Sequence, residues 1–296
     1  MFQINMSNAI EIKNLKKYFG KNHAVDDINL SIERGEIFGF LGPNGAGKTT
    51  TMRAIMDFIT PTSGTITIDG LDSKKDSVEI KRKIGYLPSD SYFYGGWTGR
   101  EHMDFVRGFY GIKTNPTELI KKLAFDSRKK VKSLSTGNKQ KLGIILALMG
   151  NPDILVLDEP TRGLDPILQN DIYEILNDYK KAGKTAFVSS HNLPEVEKIC
   201  DRIAIIKSGK IIKTTTIQEI KQLKIHFVTV AFSKKIRSEQ IESDDCEIIR
   251  EIPDGYIVKV KGEIGPFLKR IAPYEIKDIE VAHANLEEIF LEYYKK

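Results

Sequence analysis

The chain has 296 residues, 41% of them hydrophobic, which suffices for one large α/β domain with a smaller appendage. Lysine and arginine number 45 against 40 acidic residues; a formal charge of +5 belongs to an ordinary solvated surface, and no nucleic-acid partner is expected. The longest uncharged apolar runs, Ile37 to Leu41 and Leu142 to Gly150, fall short of the roughly 20 residues of a membrane-spanning helix, so no crossing of a bilayer is expected.

The opening MFQINMSNAIEIKNL lacks the basic segment, apolar run and small-residue cleavage site of a secretory signal, which predicts a cytoplasmic protein; Met6 stands as an alternative start. From Ile10 to about Gln222, short apolar segments bounded by Gly, Asp and Pro alternate with amphipathic stretches, the pattern of strands joined by crossover helices. IFGF before Gly42 reads as a buried central strand, whereas GTITIDG at Gly64 to Gly70 alternates and suits a half-exposed antiparallel strand. Between about Ser89 and Gly150 strand signals give way to REHMDFVRGFYG, PTELIKKLAF and NKQKLGIILALMG, a helical insertion whose first helix opens on a Thr98/Glu101 capping box. ILVL before Asp158, TAFVSS before His191 and RIAIIK before Ser208 return to the buried-strand pattern. After Gln222, alternating runs such as FVTVAF and YIVKVKG and a closing NLEEIFLEYYKK helix predict a small α+β appendage, dividing the chain into 1–222 and 223–296. Cys200 and Cys246 are far apart, without CxxC or Cys/His clustering, and read as reduced thiols with neither zinc nor disulfide.

Gly42-Pro43-Asn44-Gly45-Ala46-Gly47-Lys48-Thr49 fits the phosphate-loop pattern GxxxxGK[ST] and lies between the strand EIFGFL and a helix that runs on through Thr50. The pattern arises by chance in on the order of one chain in a hundred of this size, and the strand-loop-helix context removes most of those cases. Its glycines let backbone N–H groups turn inward around a β-phosphate, and the helix N-terminus adds partial positive charge. Lys48 then reaches the β and γ oxygens, and the Thr49 hydroxyl ligates Mg²⁺. Downstream, Ile154-Leu155-Val156-Leu157-Asp158-Glu159 is an apolar strand ending in two acids, whose side chains point to opposite sides of an extended chain and therefore serve different jobs. Asp158 is the candidate for holding Mg²⁺, directly or through water, and Glu159 the candidate general base for an attacking water.

Leu134-Ser135-Thr136-Gly137-Asn138-Lys139-Gln140, shortly before the acidic strand, is similar to the LSGGQ segment of ATP-binding cassette (ABC) transporter nucleotide-binding subunits. Gly163-Leu164-Asp165-Pro166 follows Glu159 where that family has its D-loop, and His191 follows TAFVSS where its switch histidine belongs. The resemblance covers roughly Ile10 to Gln222 and implies a phosphate-loop NTPase core of ABC type, with an antiparallel β subdomain and a helical insertion at about 89–150. It also implies ATP as the nucleotide and a pair of cassettes, a homodimer or two related chains, enclosing it. In that arrangement Ser135 and Gly137 would bond the γ-phosphate held by the opposite subunit, and His191 would join Glu159 and Lys48 in catalysis. Asp165 would line the same interface, although Asp165-Pro166 is also a good helix start. Phe19 or the adjacent Tyr18 occupies the place of the family's adenine-stacking ring, with Phe19 preferred for its position before Gly20.

One departure stands out. The family's glutamine after a strand like KIGYLP is replaced by Ser89 and Asp90, so either Ser89 or Asp90 serves the metal through water or Thr49 and Asp158 hold it alone. The wording around the motifs, and the extra C-terminal segment, resemble the branch that serves exporters of drugs, antibiotic peptides and cell-surface compounds, bacitracin resistance among them. That implies a separate multi-span membrane subunit and a peripheral position on the cytoplasmic face of the membrane. An importer ATPase with a C-terminal regulatory domain, or a non-transport cassette protein, would share the catalytic motifs.

Overall fold

The computed structural model describes residues 8–111, 115–222, 225–234 and 236–283. It falls into two compact units divided between Thr215 and Thr216.

In chain order the first unit comprises β1 (Asn8–Phe19), β2 (Asn22–Glu33), β3 (Ile37–Leu41), α1 (Lys48–Ile55), β4 (Ser63–Ile68), β5 (Leu71–Asp72), α2 (Ser77–Lys83) and β6 (Ile84–Leu87). It continues through α3 (Gly99–Tyr110), α4 (Thr117–Lys122), α5 (Thr136–Leu148), β7 (Ile154–Asp158), α6 (Pro166–Lys181), β8 (Thr185–Ser190), α7 (Leu193–Ile199), β9 (Arg202–Lys207) and β10 (Lys210–Thr216). β1 and β2 form a long antiparallel hairpin, and β4, the GTITI segment, pairs antiparallel with the other edge of β1. β5 completes this sheet in the order β2-β1-β4-β5. The second sheet runs β10-β9-β3-β8-β7-β6, and the pairings among β9, β3, β8, β7 and β6 are parallel.

The central strands β3, β8 and β7 of the second sheet are largely apolar because both of their faces are covered. Every residue of β3, β7 and β8 is buried. Ile10, Ile12, Ile32 and Ile66 from the first sheet meet Phe38, Phe40, Val156 and Phe187 from the second, with Met52 and Ile55 of α1 in the same cluster. Burial of each such side chain is worth about 1.5–3 kcal/mol, which ties the antiparallel sheet, α1 and the parallel sheet into one core. Between β6 and β7 the chain leaves the sheet for the helices α3, α4 and α5. The α/β class, the buried parallel strands and the antiparallel GTITI strand all match the expectation from sequence.

The second unit contains α8 (Ile217–Gln222), β11 (Ile225–Phe232), β12 (Cys246–Ile252), β13 (Gly255–Lys261), α9 (Ile264–Ile271) and β14 (Ile276–His283). Its sheet is antiparallel in the order β12-β13-β11-β14. Alternation along β11 sends Val228, Val230 and Phe232 into a small core with Val258, Val260 and, from α9, Phe267 and Ile271. The closing NLEEIFLEYYKK segment lies outside the described residues. Among the described residues no helix is long and apolar enough to cross a membrane.

The capping box opening α3 is present on both sides: Glu101 N donates to Thr98 Oγ1 at 3.2 Å, and Thr98 N donates to the Glu101 carboxylate at 2.6 Å. Thr98→Ala is therefore expected to destabilise the cassette by about 1 kcal/mol, read as a lower urea midpoint, with Thr98→Ser recovering most of the loss. An unchanged midpoint in Thr98→Ala would mean that the box carries no weight in the fold.

Candidate nucleotide site

Parallel pairing aligns the C-terminal ends of β3, β8 and β7: Leu41 stands opposite Ser190, and Asp158 opposite Ser189. The loop after β3, the acids ending β7 and the histidine after β8 thus leave the sheet at one edge, where open α/β sheets bind ligands.

The loop from Gly42 to Gly47 wraps back to α1. Gly47, the N-cap of α1, adopts φ +113°, and a Cβ on it would sit 2.4 Å from the Ala24 carbonyl oxygen, so no other residue fits. No side chain caps the helix, which leaves its first N–H groups for an anion. The turn between β9 and β10 braces the loop from behind, with Gly209 N donating to Ala46 O at 2.9 Å.

Lys48 is buried, and its ammonium donates to Gly42 O at 2.6 Å and to Pro43 O at 3.3 Å. It also lies 3.3 Å from Glu159 Oε1, an oxygen with no hydrogen bond of its own. The other oxygen, Oε2, accepts from His191 Nδ1 at 2.7 Å. Lys48, Glu159 and His191 therefore form one continuous line of contacts at the ends of the three strands. Glu159 carries φ +55°, a left-handed conformation that a residue with a Cβ adopts at a cost of order 1–3 kcal/mol. Its backbone is fixed from two directions: Glu159 N donates to Ser189 Oγ at 3.1 Å, and Gln140 Nε2 of α5 donates to Glu159 O at 3.2 Å and Pro160 O at 2.9 Å.

Asp158 is fully buried on the other side of the strand end. Its Oδ1 accepts from Ser189 Oγ, while Oδ2 has no hydrogen-bond partner. A buried carboxylate oxygen left without a proton donor fits a cation, and α1, which carries Thr49, packs beside β7. Among the described residues no three His, Cys, Asp or Glu converge, so a cation here would draw its remaining oxygens from phosphate and water. The Tyr86 hydroxyl is pushed up to about 12 by burial first and by the Asp158 carboxylate second, and it stays neutral.

These elements line an open cleft of 660 Å³. Of the residues singled out from sequence, Phe19, Pro43, Asn44, Gly45, Gly47, Lys48, Thr49, Thr50, Ser89 and Glu159 line it. Phe19 is half exposed there, with the Lys17 ammonium 4.8 Å from its ring centre. Tyr18 is not part of the lining: alternation turns it away, its hydroxyl donates to Asp26 at 2.7 Å and its ring stacks on His23 at 3.9 Å. Gly42, Ala46, Asp158 and His191 stand behind or beside the lining rather than in it. Asp90, the alternative to Ser89, lines it too and pairs with Arg162 at 3.3 Å, and Arg53 and Arg162 are lining residues that sequence patterns did not single out.

Ser135, Gly137 and Asp165 do not reach this cleft. Ser135 caps α5, accepting from Asn138 N at 3.3 Å, and Asp165 caps α6, accepting from Ile167 N at 3.1 Å and Leu168 N at 3.0 Å. A Cβ on Gly137 would lie 3.4 Å from Gly163 O, so the LSTGN turn and the GLDP turn pack on each other and form a separate surface.

The ABC transporter family model matches residues 25–162. The bacitracin transport ATP-binding protein BcrA of Bacillus licheniformis is 34% identical over 98% of this chain and 96% of its own length. The linearmycin resistance ATP-binding protein LnrL of Bacillus subtilis is 33% identical over 95% of this chain and 97% of its own. Among solved structures, the ATP-binding cassette MJ0796, a dimer in a post-hydrolysis state with ADP and Pi, superposes with a TM-score of 0.65 at 26% identity, over 70% of this chain and 98% of that one. Phosphate loop, strand-end acids and histidine thus stand together on a cassette fold, the sequence similarity to named relatives runs near full length, and the chain belongs to the ATP-binding proteins of ABC transporters, ATPases that energise transport.

Proposed function

We propose that this chain powers an exporter of drugs, peptides or cell-surface compounds through a separate multi-span membrane subunit, to which it binds on the cytoplasmic face. The observation that carries the export reading is coverage. The similarity to BcrA and LnrL runs over 95% or more of both partners, the second unit included, whereas the cassette structures match 70–73% of this chain.

The geometry supports a division of labour at the nucleotide. Phe19 offers an exposed ring for the adenine, and the uncapped N–H groups at the start of α1, from Lys48 to Thr50, would face the phosphates. In the free chain Lys48 is held by two carbonyls and Glu159. A γ-phosphate is the stronger acceptor, and when it takes Lys48 over it frees Glu159 Oε1 to accept a proton from water while His191 keeps Oε2 in place. Thr49 and Asp158, with Ser89 as a further candidate, would hold Mg²⁺, which when bound neutralises charge on the phosphates. Because Ser135, Gly137 and Asp165 lie on a surface apart from the cleft, they suit the γ-phosphate bound by a second cassette, so turnover requires a pair.

Glu159→Gln removes the proton acceptor and also the negative charge facing Lys48. Its ATP turnover is expected to fall by about 100-fold or more, with ATP affinity equal to or above that of the unaltered protein and an ATP-bound dimer accumulating in light scattering. Turnover near the original rate would take Glu159 out of the catalytic role. The same variant, tagged and purified in ATP from detergent-solubilised membranes, is expected to bring down one multi-span membrane protein in stoichiometric amount. Recovery of ribosomal or DNA-bound proteins with no membrane partner would overturn the export assignment and leave the ATPase intact.

A further inference from the structure

Four residues past His191, on α7, Glu195 is buried, with 2% of its surface exposed. Its carboxyl group faces no solvent and does not line the cleft, so catalysis at the phosphates makes no direct use of it. Oε1 accepts from Thr161 Oγ1 at 2.6 Å, and Oε2 accepts from Ser190 Oγ. Thr161 follows Glu159 by two residues, and Ser190 immediately precedes His191. Both hydroxyls are buried. Ser190 Oγ also accepts from Asn192 N at 2.9 Å, which fixes the turn that carries His191. Burial raises the Glu195 carboxyl above its ordinary range against the lowering effect of its two hydroxyl donors, and the charges of Glu159 and His191 both act on it.

A buried carboxyl is a costly way to fill space, and a leucine would pack the same interior of α7 without the cost of desolvation. What a carboxyl offers and a leucine does not is two acceptors at a fixed spacing. Here they join the loop of the catalytic acid to the loop of its histidine. We infer that Glu195 is a positioning residue: by bridging Thr161 and Ser190 it sets the separation of the loops that carry Glu159 and His191. The inference rests on the catalytic reading of that pair. Their 2.7 Å contact spans two strand ends, and the left-handed backbone of Glu159 needs support from its surroundings to persist. A shift of about 1 Å in one loop would turn the carboxylate away from the attacking water, a displacement that can cost about 100-fold in rate.

The test compares Glu195→Ala, Glu195→Gln, Thr161→Val and Ser190→Ala with Glu159→Gln, measuring kcat and KM for ATP together with the affinity for a fluorescent ATP analogue. Glu195→Ala is expected to lose about tenfold or more in kcat with analogue affinity held within about threefold, the signature of a group that acts on the transition state rather than on binding. Glu195→Gln can still accept from one hydroxyl and donate to the other, and it is expected to stay within about threefold of the original kcat. Thr161→Val and Ser190→Ala, which each remove one end of the bridge, are expected to lower kcat by about threefold or more, and neither loss adds fully to that of Glu195→Ala. Should Glu195→Ala fail to fold, the two hydroxyl variants carry the test alone. Normal kcat in both hydroxyl variants, or a Glu195→Ala loss that falls equally on affinity and kcat, would overturn the positioning role while Glu159→Gln remained inactive. Normal turnover in Glu159→Gln would instead overturn the site reading on which the inference stands.

Discussion

The contact on which the site depends is the one between Lys48 and Glu159, a buried cation at the start of α1 and a buried carboxylate just past the end of β7, held 3.3 Å apart. Each charge would be expensive alone in this interior, and on the proposed reading Lys48 would later engage ATP and Glu159 water. In the free chain the two neutralise one another. On the proposed reading a γ-phosphate would compete for the lysine and, by winning it, release Glu159 Oε1 to accept a proton from water. His191 completes the arrangement from the outside, through its contact with Oε2, and would keep that oxygen in place if Lys48 left Oε1.

That contact exists because of the register of the parallel sheet. β3, β8 and β7 lie side by side, and the pairings Leu41 with Ser190 and Asp158 with Ser189 bring three sequence-distant loops to one edge. The antiparallel sheet contributes Phe19 from the end of β1. Buried aliphatic and aromatic side chains between the two sheets hold these parts at fixed separation, so the long hydrophobic strands do more than stabilise the fold: they position the charges.

Much of this was legible in the sequence where a function is local. The phosphate loop is a contiguous run whose glycines have one steric solution, and the acidic strand end, the Asp165-Pro166 helix start and the Thr98/Glu101 box are likewise short-range patterns. Phe19 and Tyr18 could not be separated by spacing alone; the strand's alternation, and the partners Asp26 and His23, place Phe19 in the cleft and Tyr18 outside it. Ser189 and Glu195 gave no signal, since a serine in a strand and a polar residue within a helix are commonplace, and Gln140 was legible as the end of the LSGGQ-like segment but not as a support for Glu159. Their roles arise from cross-strand register and helix packing, which no linear pattern encodes. The expected division after Gln222 followed a change of texture in the sequence, whereas packing groups α8 with the second unit and divides the chain between Thr215 and Thr216.

One chain supplies a complete phosphate cleft and, on another surface, a complete LSTGN and GLDP pair, and the account depends on these meeting across two copies. The direct measurement is ATP hydrolysis in mixtures of two variants, Lys48→Ala and Gly137→Asp, each inactive by itself. If the site is shared, mixed dimers contain one intact site, formed by the cleft of the Gly137→Asp chain and the LSTGN turn of the Lys48→Ala chain, and activity rises well above the sum of the separate variants. Activity no greater than that sum, in mixtures shown to contain the mixed dimer, would contradict a site built from two chains.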